Sequence, residues 1–311
     1  MSGPHTRADH EHRHHHSHAG TGNMLAWATA LTLVFAAVEA SVGLWAGSLA
    51  LVADAGHMLN DAAALALAAV AAWLARKPAS TRHSYGLGRA EFIAAMLNST
   101  ALLTLVTWLV ISAVERLQAP RPVVGEAVFV TAALGLAINV VVAWMLLRGE
   151  RNLNTRAALL HVLGDLLGSV AALVAGIVIV LTDWTPIDPL LSLAIGLLIL
   201  VSSLRLLREA LHGLMEGVPL DLDATAVGQA LAGVPGVSSV HDLHIWSVKS
   251  DRPLLSAHLV VHDIARWEQV LEASHALLSE RFGIHHATLQ PEPVTRTVRW
   301  WPSRPRPHSH T

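Results

Sequence analysis

An α-helical membrane protein with six spans, followed by a small α+β domain, is the fold class this sequence predicts. Three observations carry that expectation. The chain of 311 residues is 53% hydrophobic and only 14% charged, against about 25% charge in ordinary soluble domains. The apolar residues come in blocks of roughly 24–46, 50–75, 91–114, 123–147, 157–181 and 187–206, each long enough to cross about 30 Å of hydrocarbon as a helix. From about Gly217 the runs shorten and turn signals appear, such as GVPG at 233–236.

The first block is long for a signal peptide, and an acidic, His-rich segment precedes it in place of a simple basic one. Loop charges orient the spans. Arg76, Lys77, Arg82 and Arg89 lie between spans two and three, Arg148, Arg151 and Arg156 between four and five, and Arg205 and Arg208 after six. The opposite loops hold only Arg116 and Arg121. Positive loops stay inside, so both termini are expected in the cytoplasm. Lys77 and Lys249 are the only lysines, and with abundant Ala and Leu this suggests a GC-rich bacterial genome, hence a bacterial inner (plasma) membrane.

Beyond the spans, a helix near 221–232, strands at 237–248 and 253–262, a helix at 265–283 ended by Gly283, and a strand at 284–292 give the order α-β-β-α-β. Pro291 cannot donate to a ladder and argues for an edge position in the last strand. The domain boundaries follow: residues 1–22 a His-rich cytoplasmic tail, 23–210 the six-span domain, 211–295 the α+β domain, and 296–311 a Pro- and Arg-rich disordered tail. Histidine tracts such as HTRADHEHRHHHSHAG (5–20) attract metal. Formal net charge is −2, which offers nothing to nucleic acid. The absence of cysteine excludes disulfides, thiolate metal sites and Cys nucleophiles.

The second block, LVADAGHMLNDAAALALAAVAAWL (51–74), carries ionisable groups where hydrocarbon is expected. An ionisable residue at membrane depth is costly and marks a pathway by default. His57 and Asp61 are four apart, hence on one helix face, and Asp54 lies a turn away on the same stripe. The fifth block repeats the spacing with His161 and Asp165. Two H-x-x-x-D pairs supply two imidazoles and two carboxylates, a donor set for four-coordinate Zn²⁺ whose charge the carboxylates neutralise. The rival reading makes each pair a helix-packing hydrogen bond; two identical pairs in spans nearly free of charge argue against it. Asp54 is left between an outer vestibule, a helix-terminus hydrogen bond and direct ligation of the metal, and Glu39 between a helix contact and the outer exit. Asn98 and Asn139 are expected to bond between helices.

At these residues the chain resembles the cation diffusion facilitator family, in its zinc-transporting bacterial branch. GSLALVADAGHMLNDAAAL (47–65), SYGLGRAEFIAAMLN (84–98), HVLGDLLGSVAALVAG (161–176), DPLLSLAIGLLIL (188–200), LREALHGLMEGVP (207–219) and VHDLHIWSV (240–248) occur in the family's order. The resemblance implies a homodimer, associated through the cytoplasmic domain and membrane helices, that exchanges cytoplasmic metal for protons. His57, Asp61, His161 and Asp165 match its transport site, and a His at position 57 goes with zinc, with Cd²⁺ or Co²⁺ as alternative cargo. The resemblance also implies a ferredoxin-like cytoplasmic domain holding regulatory zinc, with His241, His258, His275, His285 and Glu292 at the matching positions. Gln290 stands where some relatives offer a ligand, and His244, His262 and His286 read as surface residues. No H-E-x-x-H or separate general base accompanies the four ligands, so an enzyme is not expected. The alternative is a membrane-bound metal sensor without transport, which would not need the duplicated H-x-x-x-D.

Overall fold

The computed structural model describes residues 18–148, 153–249 and 252–294, with the backbone alone at 18–29, 146, 148, 153–158, 160 and 161. Six long helices come first: α1 (His18–Ala46), α2 (Leu49–Ala75), α3 (Ala90–Gln118), α4 (Gly125–Arg148), α5 (Leu153–Thr182) and α6 (Ile187–Leu214). α2 to α6 are each long and apolar enough to cross a membrane, and the Ala30–Ala46 part of α1 is a shorter apolar stretch. Several helices outrun the apolar blocks. α1 begins at His18, inside the segment expected as tail, and α6 continues to Leu214. The apolar run marks where hydrocarbon lies, whereas the backbone ladder propagates through any good helix former, such as the Arg-, Leu- and Glu-rich end of α6.

Two compact units make up the chain: Met1–Ala63 with Ala101–Val201, and Ala64–Thr100 with Ser202–Thr311. In the first, Leu49 and Ala53 of α2 pack with Leu102, Val106 and Leu109 of α3 and Ile195 and Ile199 of α6. Ala50 and Leu51 pack with Val128 and Ala132 of α4 and Ala172 of α5. Alternation of small and branched residues lets these helices approach closely, as is general where lipid supplies no hydrophobic drive. Outward-facing residues remain apolar, including Leu167, Leu181, Leu197 and Leu198. Such faces suit hydrocarbon.

At the N-terminal end of α2, Asp188 of α6 is fully buried. It accepts hydrogen bonds from Ser48 Oγ (2.5 Å), Leu49 N–H (2.6 Å) and Ala50 N–H (3.3 Å). The first turn of any helix leaves backbone donors without partners, and here a carboxylate from a distant helix satisfies two of them. Arg116 of α3 lies 3.9 Å from Asp188 and donates to the Gly47 carbonyl. Gly47 has φ +73°, a turn conformation that glycine adopts without steric cost.

The second unit contains α7 (Ala224–Ala232), β1 (Val237–Lys249), β2 (Arg252–Val261), a 3₁₀ turn at Ile264–Arg266, α8 (Trp267–Phe282) and β3 (His286–Pro293). The order is the α-β-β-α-β read from the sequence. The sheet runs β1-β2-β3, with β1 and β2 antiparallel and β2 and β3 parallel. Pro291 therefore sits on an edge strand. Asp223 caps α7 by accepting from Thr225 N–H, and Gly283 closes α8 at φ +66°, the left-handed conformation usual after a helix. The core joins Val227 and Leu231 of α7, Val270 and Leu278 of α8, and Leu255, Leu259 and Val261 of β2.

Candidate metal sites

Donor atoms of His57, Asp61 and Asp165 lie within 4.8 Å of one another. Helical spacing puts His57 and Asp61 on one face of α2, with Nε2 3.5 Å from Oδ2. Asp165 comes from α5 and is 2% exposed. The carboxylates of two separate spans are thus brought to one imidazole. His161 lies one turn before Asp165 on α5; its side chain lies outside the described residues. Three donors with a single-turn neighbour form the start of a tetrahedral N/O set, the arrangement Zn²⁺ takes.

Asp54 and Glu39 stand beside this group. Asp54 is 2% and Glu39 0% exposed. Ser169 of α5 donates to the Asp54 carboxylate, and Asn139 of α4 donates to Ser169 Oγ at 3.1 Å. Asn139 is the interhelical donor that the sequence suggested. Asp54 does not cap its helix; Asp188 does. Ser169 and Asp188 were not singled out from the sequence. Ser169 could have been found as the residue four after Asp165, on the same face of α5.

A second group lies on the sheet. Register pairs His241 of β1 with His258 of β2, and their rings sit 5.2 Å apart, inclined at 54°. Glu292 of β3 reaches both, with Oε2 3.0 Å from His241 Nε2 and Oε1 2.8 Å from His258 Nδ1. These donors also fall within 4.8 Å. Burial raises the Glu292 pKa, but hydrogen bonds from His258 and His241, and their charge, outweigh it and hold the carboxyl below its usual range. A β-bulge follows His241, where Asp242 has φ +51°. It turns Asp242 so that its Oδ2 lies 3.8 Å from His258 Nε2. Asp242 was not singled out from the sequence, and a VHD run within a strand carries no signal of a bulge.

The other two expected cytoplasmic ligands stand apart from this group. α8 packs on the sheet through Val270, Ser274 and Leu278, so His275, about 100° round from Ser274, faces outward and is exposed. His285 is exposed and hydrogen bonds Ser279 at 2.9 Å. His244, His262 and His286 are exposed, as expected of surface residues.

The family model of the cation efflux transmembrane domain matches residues 25–215, and that of the cation efflux protein cytoplasmic domain matches 219–294. The chain belongs to the cation efflux family. The resemblance read from its motifs is borne out, and with it a multi-pass membrane architecture with a cytoplasmic domain. Among its relatives, the zinc transporter ZitB of Escherichia coli (strain K12) is 41% identical over 86% of each chain. The cadmium, cobalt and zinc/H(+)-K(+) antiporter of Bacillus subtilis (strain 168) is 38% identical over 82% of this chain and 84% of its own. A solved structure, the metal-bound C-terminal domain of the CzcD transporter from Cuprividus metallidurans, is 37% identical over 23% of this chain and 99% of its own, with a TM-score of 0.22.

Proposed function

We propose that this cation efflux protein exports divalent metal, Zn²⁺ first and Cd²⁺ or Co²⁺ as alternatives, from the cytoplasm in exchange for protons. The observation that carries the reading is the meeting of His57, Asp61 and Asp165 from two apolar helices, in a chain similar to a zinc transporter and to a zinc/proton antiporter. His161 completes the set as the fourth ligand.

Cargo enters from the cytoplasm onto ionised carboxylates and neutral imidazoles. Binding therefore releases protons. Alternating access then turns the site outward, where protons compete for the same nitrogens and oxygens and displace the metal. Return of the protonated site completes the exchange. His241, His258 and Glu292 hold regulatory zinc in the cytoplasmic domain, replacing the hydrogen bonds they now make to one another. The working unit is a homodimer in the bacterial inner membrane with both termini in the cytoplasm. The His-rich tail, residues 1–22, collects metal for the transport site.

Zinc flux into proteoliposomes under an imposed pH gradient tests the reading. Gradient-driven zinc accumulation is expected. Zinc binding without flux in folded, reconstituted protein would overturn transport and leave a sensor.

A further inference from the structure

We infer that Glu39 and Asp54 form a second cation station, about one helical turn beyond the transport site toward the outer ends of the helices, that receives the metal as it leaves. The inference rests on the transport reading above.

Depth comes from helical rise. Asp54, His57 and Asp61 follow the start of α2 by five, eight and twelve residues, which is about 8, 12 and 18 Å along the axis. Ser169 is four residues beyond Asp165 toward the end of α5. Since Ser169 bonds Asp54, the Asp54 layer lies on the side of the α2 N-terminus. Glu39 is seven residues from the end of α1. The Ala46 carbonyl at that end accepts from Val124 N–H just before α4, and Asp188 ties the neighbouring start of α2 to the start of α6. These ends lie opposite the basic loops, hence outside.

The chemistry of the layer asks for a cation. Glu39 is fully buried and, among the described residues, neither of its carboxylate oxygens has a hydrogen-bond partner. One oxygen of Asp54 is also without one. Among the described residues, the charged groups that act on Glu39 are Asp54 and Asp165, both acidic. A carboxylate in apolar surroundings is costly unless a partner neutralises it, and here the nearest side-chain charges make matters worse. Position is enforced as well: a Cβ at Gly168 would overlap the Asp54 carboxylate, so glycine there lets Asp54 cross to α5.

The two stations differ in donor type. The transport site offers imidazole nitrogen, which zinc favours, while the outer one offers the carboxylate oxygens of Glu39 and Asp54 and the Ser169 hydroxyl that Asn139 holds in place. Oxygen sets hold zinc less tightly than sets with imidazole. A weaker station outside a stronger one draws the ion outward without trapping it.

Glu39→Gln, Asp54→Asn and Glu39→Asp in the full chain, reconstituted with zinc as the probe, test this. Glu39→Gln and Asp54→Asn are expected to lower maximal export at least about tenfold, with KM for zinc and equilibrium zinc binding at the tighter transport site unchanged. Glu39→Asp should recover much of the rate. Wild-type rates in both neutral variants would overturn the station. So would a rate loss matched by equal loss of zinc binding, which would mean that Glu39 and Asp54 only support the transport site. Zinc flux that persists but no longer responds to the pH gradient would make the occupant a proton. Absence of flux in the unmodified protein would instead overturn the transport reading, and the station with it.

Discussion

The two candidate metal groups use imidazole and carboxylate donors in opposite ways. On the sheet, His241, His258 and Glu292 already bond one another, so the group is satisfied before any ion arrives. In the helices, the acids outnumber the bases. Among the described residues Glu39 has no hydrogen-bond partner, and Asp54 and Asp165 are its electrostatic neighbours. A satisfied group suits residence, because the ion replaces bonds of similar geometry. An over-acidic row suits passage, because each carboxylate invites a cation that the next can take.

The largest effect expected from breaking this contrast lies in the membrane. Asp61→Ala or His57→Ala should lower zinc export by more than about 100-fold, since loss of even an outer-shell partner costs about 10–100-fold. A smaller loss in initial flux rates would remove that residue from the ligand set. Next comes Glu292→Gln. It should weaken zinc binding to the cytoplasmic domain by about tenfold or more, seen as a lost class of sites in equilibrium dialysis, while export at saturating zinc continues.

The Asp188 tie sharpens the comparison structurally. Asp188→Asn keeps the shape but loses a charged acceptor for three hydrogen bonds, and should cost about 1–3 kcal/mol. Its readout is a lower thermal midpoint in detergent. An unchanged midpoint would mean that the α2 end is held elsewhere.

The smallest effect concerns pH. The folded-state pKa of Glu292 is held down, so its contribution to stability is complete above the unfolded carboxylate value, about 4.3. That contribution is lost as pH falls through the lower, folded value. Glu292→Gln should flatten the acid limb of a thermal-midpoint profile, and parallel profiles would contradict the pairing.

Much of this was legible in the sequence because period and spacing are local. Apolar blocks gave the spans, and i, i+4 spacing put His57 with Asp61. Alternation and turn residues gave the α-β-β-α-β order. What escaped depends on partners far along the chain. Nothing near Asp188 says that it caps a helix some 140 residues earlier, and the bulge that turns Asp242 to His258 leaves no local mark. His275 and His285 were matched by position in the chain, whereas α8 packing directs one outward and Ser279 holds the other. Asp54 and Glu39 were visible as anomalies, but their common layer with Ser169 required the packing of α1, α2 and α5.

Asp165 is the residue on which the shared membrane site turns, since it brings α5 to the α2 pair. Initial zinc flux under a pH gradient should be compared between the intact protein and Asp165→Ala, both reconstituted and shown to be folded. Gradient-driven flux that is lost in Asp165→Ala is the predicted result. Flux that survives the substitution would contradict a site shared between α2 and α5.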